Sequence, residues 1–476
     1  MVLTRFYNEK LAQASYLVGC PACGKAAVID PNRDIQMYLD AAKSSGVKIV
    51  AVTETHIHAD YLSGSRELAT MSGATLFLSA EGDEDWQYAF ADEPNVTLVK
   101  HGDAIRFGQI RLDVVRTPGH TPEHISFVLT DEGTLDEPLG SFTGDFIFVG
   151  DVGRPDLLEK AAGVAGTMEE GAKSLFHSLQ EFKAAYQSPL ILWPGHGAGS
   201  ACGKSMSGVP VSTLGYECKA NWALKTEVVE DFVGAVLSGQ PDPPTYFKQM
   251  KLLNKQGPPF LEGLRSPAEM PPVDLLLWLD EDRIVVDIRP TLSVSRGAVP
   301  GVLHVPNGKS FTNWAGWLLP YNRPIYFIAD SQEQANEAAK DMAMIGLDEV
   351  CGWVPASALE IYAAERGSLH VTDQISIHEV AEASESKEHP ILDVRAKSEF
   401  DHGHIPGAIN IPLGRLSERI DEVPKGKRLI VHCAGGTRSM IALTVLAKHG
   451  ITDARNMPDG FMDYEEAGLK IEAGPS

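Results

Sequence analysis

Cysteine is scarce in this chain, with six residues in 476 (Cys20, Cys23, Cys202, Cys218, Cys351 and Cys433). So few, so widely spaced, exclude a disulfide framework and leave cysteine for chemistry or packing. Positive charge is also in short supply: 41 basic against 64 acidic residues give a net charge of −23. No basic patch offsets it, so nucleic acid and anionic membrane surfaces are excluded as partners. No apolar stretch approaches the ~18 to 20 residues of a membrane span, and Met1-Val-Leu-Thr-Arg-Phe-Tyr7 has no apolar signal core. A cytoplasmic protein is expected.

What is present is an ordinary globular composition, 43% hydrophobic and 22% charged, with 44 glycines and 30 prolines. Its length is about three typical domains of ~150 residues. In the first half, short apolar runs (Ile49 to Val52, Ala74 to Leu78, Ile110 to Val115, Ile125 to Leu129, Leu190 to Trp193) end in His, Asp or Gly clusters. Helical periods over 35–45, 63–72 and 167–186 lie between them, predicting a mixed α/β domain with polar side chains gathered at strand ends. Cys20-Pro-Ala-Cys23 has redox-motif spacing, but it lies between two apolar runs with Gly19 and Gly24 beside it, and reads as a hairpin turn. Cys218 and Cys351 read as packing residues.

Residues 246–272 are rich in proline and read as a linker with one short helical stretch. An internal repeat follows. Ile284-Val-Val-Asp-Ile-Arg289 and Gly297-Ala-Val-Pro-Gly-Val-Leu-His304 in the first copy match Ile391-Leu-Asp-Val-Arg395 and His404-Ile-Pro-Gly-Ala-Ile-Asn410 in the second. Each copy continues with another strand and a helix. The boundaries expected are 1–245 for the first domain, 246–272 for the linker, and 273–366 and 371–476 for the two repeats.

Four segments carry the clearest chemistry: Thr55-His-Ile-His-Ala-Asp-Tyr61, Thr117-Pro-Gly-His120, Thr143-Gly-Asp145 and Pro194-Gly-His196. Each follows a strand and has a conformationally free or close-packing residue beside its polar group, so the four are expected to converge on a metal. These segments resemble the metallo-β-lactamase superfamily, whose His-x-His-x-Asp-His pattern departs here at Tyr61. The missing histidine disfavours a dinuclear zinc hydrolase of the glyoxalase II kind, although Asp60 and His196 could hold a weak second ion. The resemblance therefore points to the single-iron branch, the persulfide dioxygenases. It implies His56, His120 and Asp145 as ligands of one Fe(II) per chain, a position zinc could also fill, with His58, Asp60 and His196 bracing them. Two histidines and one carboxylate leave positions open for a substrate sulfur and for O2.

Gly153-Arg-Pro-Asp156 is similar to a segment of that branch in which Arg154 is expected to meet an anionic substrate; a surface ion pair between Arg154 and Asp156 is the other reading. Gly195-His-Gly-Ala-Gly-Ser-Ala-Cys202-Gly-Lys204 and Ser212-Thr-Leu-Gly-Tyr216 resemble the version of the domain fused to rhodanese modules. They add Cys202, Lys204 and Tyr216 as candidate substrate contacts. A small buried thiol is the other reading of Cys202.

In the last repeat, Leu429-Ile-Val-His-Cys433-Ala-Gly-Gly-Thr-Arg438 runs from a buried strand through a glycine loop into a helix, a turn that can aim backbone N–H groups at the sulfur. The motif resembles the active loop of rhodaneses, with Cys433 as sulfur-accepting nucleophile and Arg438 closing the cradle. Aligning the repeats puts Asp330 in the place of Cys433, so the first copy is expected to be inactive. The fold class implied is α/β, a metallo-β-lactamase αββα sandwich followed by two rhodanese-like α/β domains. The activity implied is oxidation of a small-molecule thiol persulfide by O2 to sulfite, with sulfur transfer from Cys433 to sulfite giving thiosulfate. A zinc-dependent thioester hydrolase with the rhodaneses as a sulfur-carrier or docking module is the alternative, and self-association is left open.

Overall fold

The computed structural model describes residues 1–157, 159 and 166–474. The chain divides into two units, Met1–Leu264 with Ala343–Gly346, and Arg265–Met342 with Leu347–Ser476.

The first unit is built on two six-stranded sheets. One runs in sequence order through β1 (Val2–Asn8), β2 (Gln13–Cys20), β3 (Lys25–Ile29), β4 (Lys48–Thr53), β5 (Thr75–Ser79) and β6 (Val96–Val99). The other holds β7 (Ala104–Phe107), β8 (Ile110–Arg116), β9 (Ile125–Asp131), β10 (Pro138–Gly144), β11 (Ile191–Pro194) and β12 (Ser212–Thr213), again in order. In β8 the two-residue alternation is plain: Ile110, Leu112 and Val114 point into the core while Arg111, Asp113 and Val115 are more exposed. Every residue of β2 is buried, because helices cover the outer face of its sheet.

Between the sheets, Ala14, Tyr16 and Val18 meet Ile105, Phe107, Leu112, Val114, Phe127 and Phe142. On the outer face of the first sheet, Leu17, Val28 and Val52 pack on Tyr38 and Ala42 of the helix Gln36–Ser44 and on Leu68 and Ala69 of Ser65–Ser72. On the outer face of the second, Val128 and Leu192 pack on Leu175, Leu179 and Phe182 of Thr167–Ala185 and on Phe232 of Val229–Leu237. The order is helix, sheet, sheet, helix. Cutting Leu175, which is fully buried, back to alanine costs about 2–5 kcal/mol by the usual price of a core cavity.

The hairpin expected at Cys20 to Cys23 joins β2 to β3, with Cys20 opposite Lys25. The expected linker 246–272 differs from the structure in its first part. The helix Phe247–Gln256 buries Phe247, Met250 and Asn254, and the first unit runs on to Leu264. Proline and glycine around a short helix stop its extension, but they do not stop its apolar face from docking.

The second unit contains two parallel five-stranded sheets. The first is ordered β13 (Ala268–Glu269), β17 (Val350–Pro355), β16 (Ile325–Ala329), β14 (Ile284–Asp287), β15 (Leu303–His304). The second is ordered β18 (Asp373–Gln374), β22 (Ala454–Asn456), β21 (Leu429–His432), β19 (Ile391–Asp393), β20 (Ile409–Asn410). Both give the same path, so the repeat read from the sequence is a repeat of topology. The first copy begins at β13, five residues before the boundary expected at 273.

Candidate metal centre and cysteine loop

The segments after β4, β8, β10 and β11 meet at one end of the sandwich. Two glycines permit the approach. Gly119 has φ +142°, and a Cβ there would lie 2.5 Å from the Cα of Leu175, while Gly144 has φ +51° and its Cβ would lie 2.4 Å from Thr55 Oγ1.

His56, His120 and Asp145 each offer one donor atom, and the three atoms lie within 4.8 Å of one another, fully enclosed. Asp145 Oδ2 is 3.5 Å from His120 Nε2 and 3.9 Å from His56 Nε2. Hydrogen bonding settles which ring nitrogens are free. Thr55 Oγ1 donates to Asp30 Oδ2 at 3.0 Å, so at its 3.0 Å contact with His56 it accepts from Nδ1–H. His120 Nδ1–H donates to the carbonyl of Arg154 at 2.9 Å. Each ring therefore turns the lone pair of Nε2 toward Asp145. Burial, joined by the neighbouring His58, holds His56 well below the ordinary histidine range; burial also lowers His120, so both stay neutral. His56 Nε2 and Asp145 Oδ2 are buried without a hydrogen-bond partner among the described residues.

His196 is different. Its Nδ1 lies 2.7 Å from Asp145 Oδ1 and its Nε2 lies 2.7 Å from Asp60 Oδ2. Burial works against a charge there, but the two carboxylates outweigh it and hold the imidazole well above its usual range. Both nitrogens donate, and no lone pair remains. His58 Nε2 is 3.3 Å from Asp30 Oδ1, and its ring stacks at 4.5 Å on Tyr61, which is wholly buried and donates to the Asp30 carbonyl at 3.2 Å.

Asp60, His196 and Cys202 form a second group of donors within 4.8 Å. Burial pushes the Cys202 thiol up, and the charges of Asp60 and Asp145 push it further, which keeps it protonated. The other expected substrate contacts are placed elsewhere. Arg154 is fully buried, with its guanidinium forked onto Asp156 at 2.7 and 2.8 Å and bonded to the Ala201 carbonyl. Its charge is neutralised at Asp156, the ion pair that was the other reading of this segment, but buried and not at the surface; what it gives the centre is its carbonyl, which orients His120. Lys204 Nζ donates to the carbonyls of Ala235 and Ser238 at the end of the helix Val229–Leu237, where a cation meets unpaired carbonyls. Tyr216 is 63% exposed on the helix Leu214–Ala220.

Four positioning residues escaped the sequence reading. Asp30 holds the Thr55 amide at 2.7 Å as well as its hydroxyl. His124, pushed down to about 3 by burial, accepts from the Asp145 amide at 3.1 Å. Glu123, raised to about 7 by burial, accepts from the Ile57 amide at 2.8 Å. Asn254, from the expected linker, donates to the carbonyls of His58 and Tyr61 at 2.8 and 2.7 Å. Asp30 and His124 had a signal, a polar residue at a strand end and a second histidine four residues after His120. Asn254 had none.

In the second unit, β21 delivers Cys433, 1% exposed, into the connection Cys433–Gly436 that opens the helix Thr437–Lys448. Gly436, φ +84°, could not carry a side chain, since its Cβ would lie 2.3 Å from the Pro458 carbonyl oxygen. The sulfur faces Ser439 Oγ at 3.7 Å. Arg438, the second residue of the helix, forks onto Glu399 at 2.6 and 2.8 Å. In the first repeat, β16 passes to the helix Gln332–Ala343 through Asp330 and Ser331 alone, and the amide of the exposed Asp330 donates to Gln334 Oε1 at 2.8 Å. Cys218 is partly covered by the core, but Cys351 is exposed, contrary to the packing role expected for it, because the register of β17 shifts there, with Val350 opposite Ile325 and Gly352 opposite Tyr326.

Among known families, residues 9–196 match the metallo-β-lactamase superfamily and residues 376–467 the rhodanese-like domain. The chain is 28% identical over 239 residues to the mitochondrial persulfide dioxygenase ETHE1 of Homo sapiens, covering 49% of this chain and 79% of that protein. It is 34% identical over 177 residues to the hydroxyacylglutathione hydrolase of Rhodospirillum rubrum, covering 37% and 59%. A crystal structure described as a metallo-β-lactamase from Staphylococcus aureus subsp. aureus COL superposes with 38% identity and a TM-score of 0.68, over 75% of this chain and 99% of its own.

Proposed function

The chain belongs to the metallo-β-lactamase superfamily and carries a rhodanese-like domain behind it, and from that premise we propose that it oxidises a low-molecular-weight thiol persulfide and transfers sulfur through Cys433. The observation that carries this reading is that both nitrogens of His196 are taken by Asp145 and Asp60. His56, His120 and Asp145 then remain as a group of three donors within reach of one ion, and the orphaned, buried His56 Nε2 and Asp145 Oδ2 atoms fit it. Two imidazoles and one carboxylate suit Fe(II) with open positions, and iron there would supply the redox chemistry with O2. Zinc in the same group would favour the thioester hydrolase reading.

The residues of the chain do the rest. Thr55, the Arg154 carbonyl and His196 hold the rings and the carboxylate in one orientation. Burial of the centre excludes bulk water from a reactive sulfur species. The product of oxidation in this scheme is sulfite. In the last domain, the Cys433 thiolate attacks the outer sulfur of a second persulfide and the parent thiolate leaves. The resulting Cys433 persulfide is held by the loop amides and the helix terminus. Sulfite then attacks its terminal sulfur, thiosulfate departs, and the thiolate returns. The domains performing the two halves are the metal-centre domain, which runs on to Leu264, and residues 371–476, with the repeat that begins at β13 lacking a nucleophile.

The test is O2 uptake by anaerobically purified, Fe(II)-loaded protein given a thiol persulfide, with sulfite and thiosulfate quantified. Expected are thiosulfate from wild type, sulfite alone from Cys433→Ser, and loss of O2 uptake on metal removal. Turnover of thioesters by the zinc-loaded protein without O2 uptake by the iron-loaded one would establish the hydrolase instead.

A further inference from the structure

The hairpin between β2 and β3 carries two thiols that the centre does not use. Cys20 is the last residue of β2 and Cys23 lies in the turn, whose amide donates to the Cys20 carbonyl at 3.2 Å. Such an i to i+3 turn holds its end Cα atoms under about 7 Å, which overlaps the ~4.4–6.8 Å span of a disulfide. Both sulfurs also face the same point. A Cβ placed on Gly108, in the turn between β7 and β8, would lie 2.2 Å from Cys23 Sγ and 2.8 Å from Cys20 Sγ. The two sulfurs are therefore within about 5 Å of each other.

Their surroundings are unequal. Cys20 is 3% exposed, while Cys23 is exposed. The backbone of Gln109, joined by the neighbouring Cys23 and Ala22, lowers the pKa of Cys20, while the thiol of Cys23 donates to the Cys20 carbonyl at 3.6 Å. Partial burial and the proximity of Cys20 raise that of Cys23. One sulfur is thus set up as the thiolate and the other as the accessible thiol that shares its proton. Among the described residues no further His, Cys, Asp or Glu joins the pair as a metal group. The turn at Gly108 lies where additional ligands would have to enter.

We infer that Cys20 and Cys23 form a reversible dithiol–disulfide site that exchanges with low-molecular-weight disulfides. An external disulfide RSSR reaches the exposed Cys23 first. The Cys20 thiolate takes the proton of Cys23 as Cys23 Sγ attacks one sulfur, the S–S bond of RSSR breaks, and one RS⁻ leaves and is protonated from solvent. The thiol of Cys20 then attacks Cys23 Sγ in the mixed disulfide, expelling the second RS⁻, which takes the Cys20 proton. Two thiols of the protein are oxidised and one RSSR is reduced to two RSH, so electrons and atoms balance. Cys20 pairs with Lys25 at the start of β3, and Lys25 pairs with Lys48 at the start of β4. The metal centre follows the other end of β4, on the order of 20 Å away by strand rise. The site is separate from the proposed oxidation chemistry.

The experiment equilibrates the full-length, reduced protein with graded ratios of oxidised to reduced glutathione, quenches with acid, alkylates, and reads each cysteine by peptide mass spectrometry. The peptide carrying Cys20 and Cys23 should lose two hydrogens in more than half of the molecules at the oxidised end of the series, and regain them on returning to reduced glutathione. In Cys23→Ser, an exposed position whose replacement leaves the fold intact by thermal melting, that loss should vanish. Alkylation of both residues at every ratio, or a lasting glutathione adduct on Cys23 that never passes to Cys20, overturns the inference.

Discussion

The two repeats of the second unit keep one framework and differ in one connection. Asp287 and Arg289 form a buried fork that also reaches the Gly297 carbonyl, and Asp393 and Arg395 form the same fork onto the Gly403 carbonyl. Strand order is the same in both. Between the equivalent strand and helix, however, stand Asp330 and Ser331 in one copy and Cys433 to Gly436 in the other. Counting from the shared Asp-x-Arg, Glu399 faces Ser293 in the first copy, so the carboxylate that holds Arg438 is missing as well. A buried ion pair persists after the chemistry has gone because removing one partner would strand the other charge in the interior. The loop has no such constraint and is free to shorten.

The largest effect expected from this contrast is at the nucleophile. Cys433→Ser should lower sulfur transfer to sulfite by roughly a thousandfold or more, while Asp330→Cys should add none, because the two-residue connection makes no cradle. Sulfur transfer by Asp330→Cys in a Cys433→Ser background would break the comparison. Next come the forks. Arg289→Ala and Arg395→Ala should each destabilise their own repeat by about 3–5 kcal/mol, measured by denaturant unfolding. A marked difference between them would mean that the frameworks are not equivalent.

Arg438→Ala should reduce kcat/KM for sulfur transfer roughly 10- to 100-fold, the loss of one charge-assisted contact, with partial recovery in Arg438→Lys. The smallest effect is in pH. Burial works to raise the Glu399 carboxyl, but the hydrogen bonds and charge of Arg438 outweigh it and hold it below the ordinary range. A depressed folded-state value means that the contribution of the pair is complete above the ordinary carboxyl pKa of about 4.3 and is lost as pH falls through the lower, folded value. Unfolding midpoints should therefore be flat in this contribution from pH 8 to 5 and drop below about pH 4. Glu399→Gln should remove that part of the drop.

The metal donors were legible because each stands at a strand end next to glycine or in a tight run, as in Pro118-Gly-His120 and Gly144-Asp145. Cys433 was legible through Gly435, Gly436 and Arg438. Less legible were the partners of charged side chains. For Arg154 the sequence leaves a substrate contact and a surface pair with Asp156 both open, and the structure closes it onto Asp156, two residues away, in the interior. Lys204 lies beside the centre in sequence, yet its long stem reaches the end of the helix Val229–Leu237. Asn254, nearly two hundred residues from His58, lies within the expected linker and braces the motif loop through its carbonyls.

By itself the sequence determined a mixed α/β first half, the repeat, and the strand ends where candidate donors gather, since alternation of apolar residues and glycine-marked strand ends are local properties of a chain. Only the tertiary structure decided which donors keep a free lone pair. His56, His120 and His196 are alike as letters. His196 falls between Asp145 and Asp60, which take both its protons, while His56 and His120 each spend one N–H on an oxygen and turn the other nitrogen inward. That distinction depends on hydrogen bonds between groups distant in the chain, formed in an enclosed space where an unmatched donor or acceptor is costly.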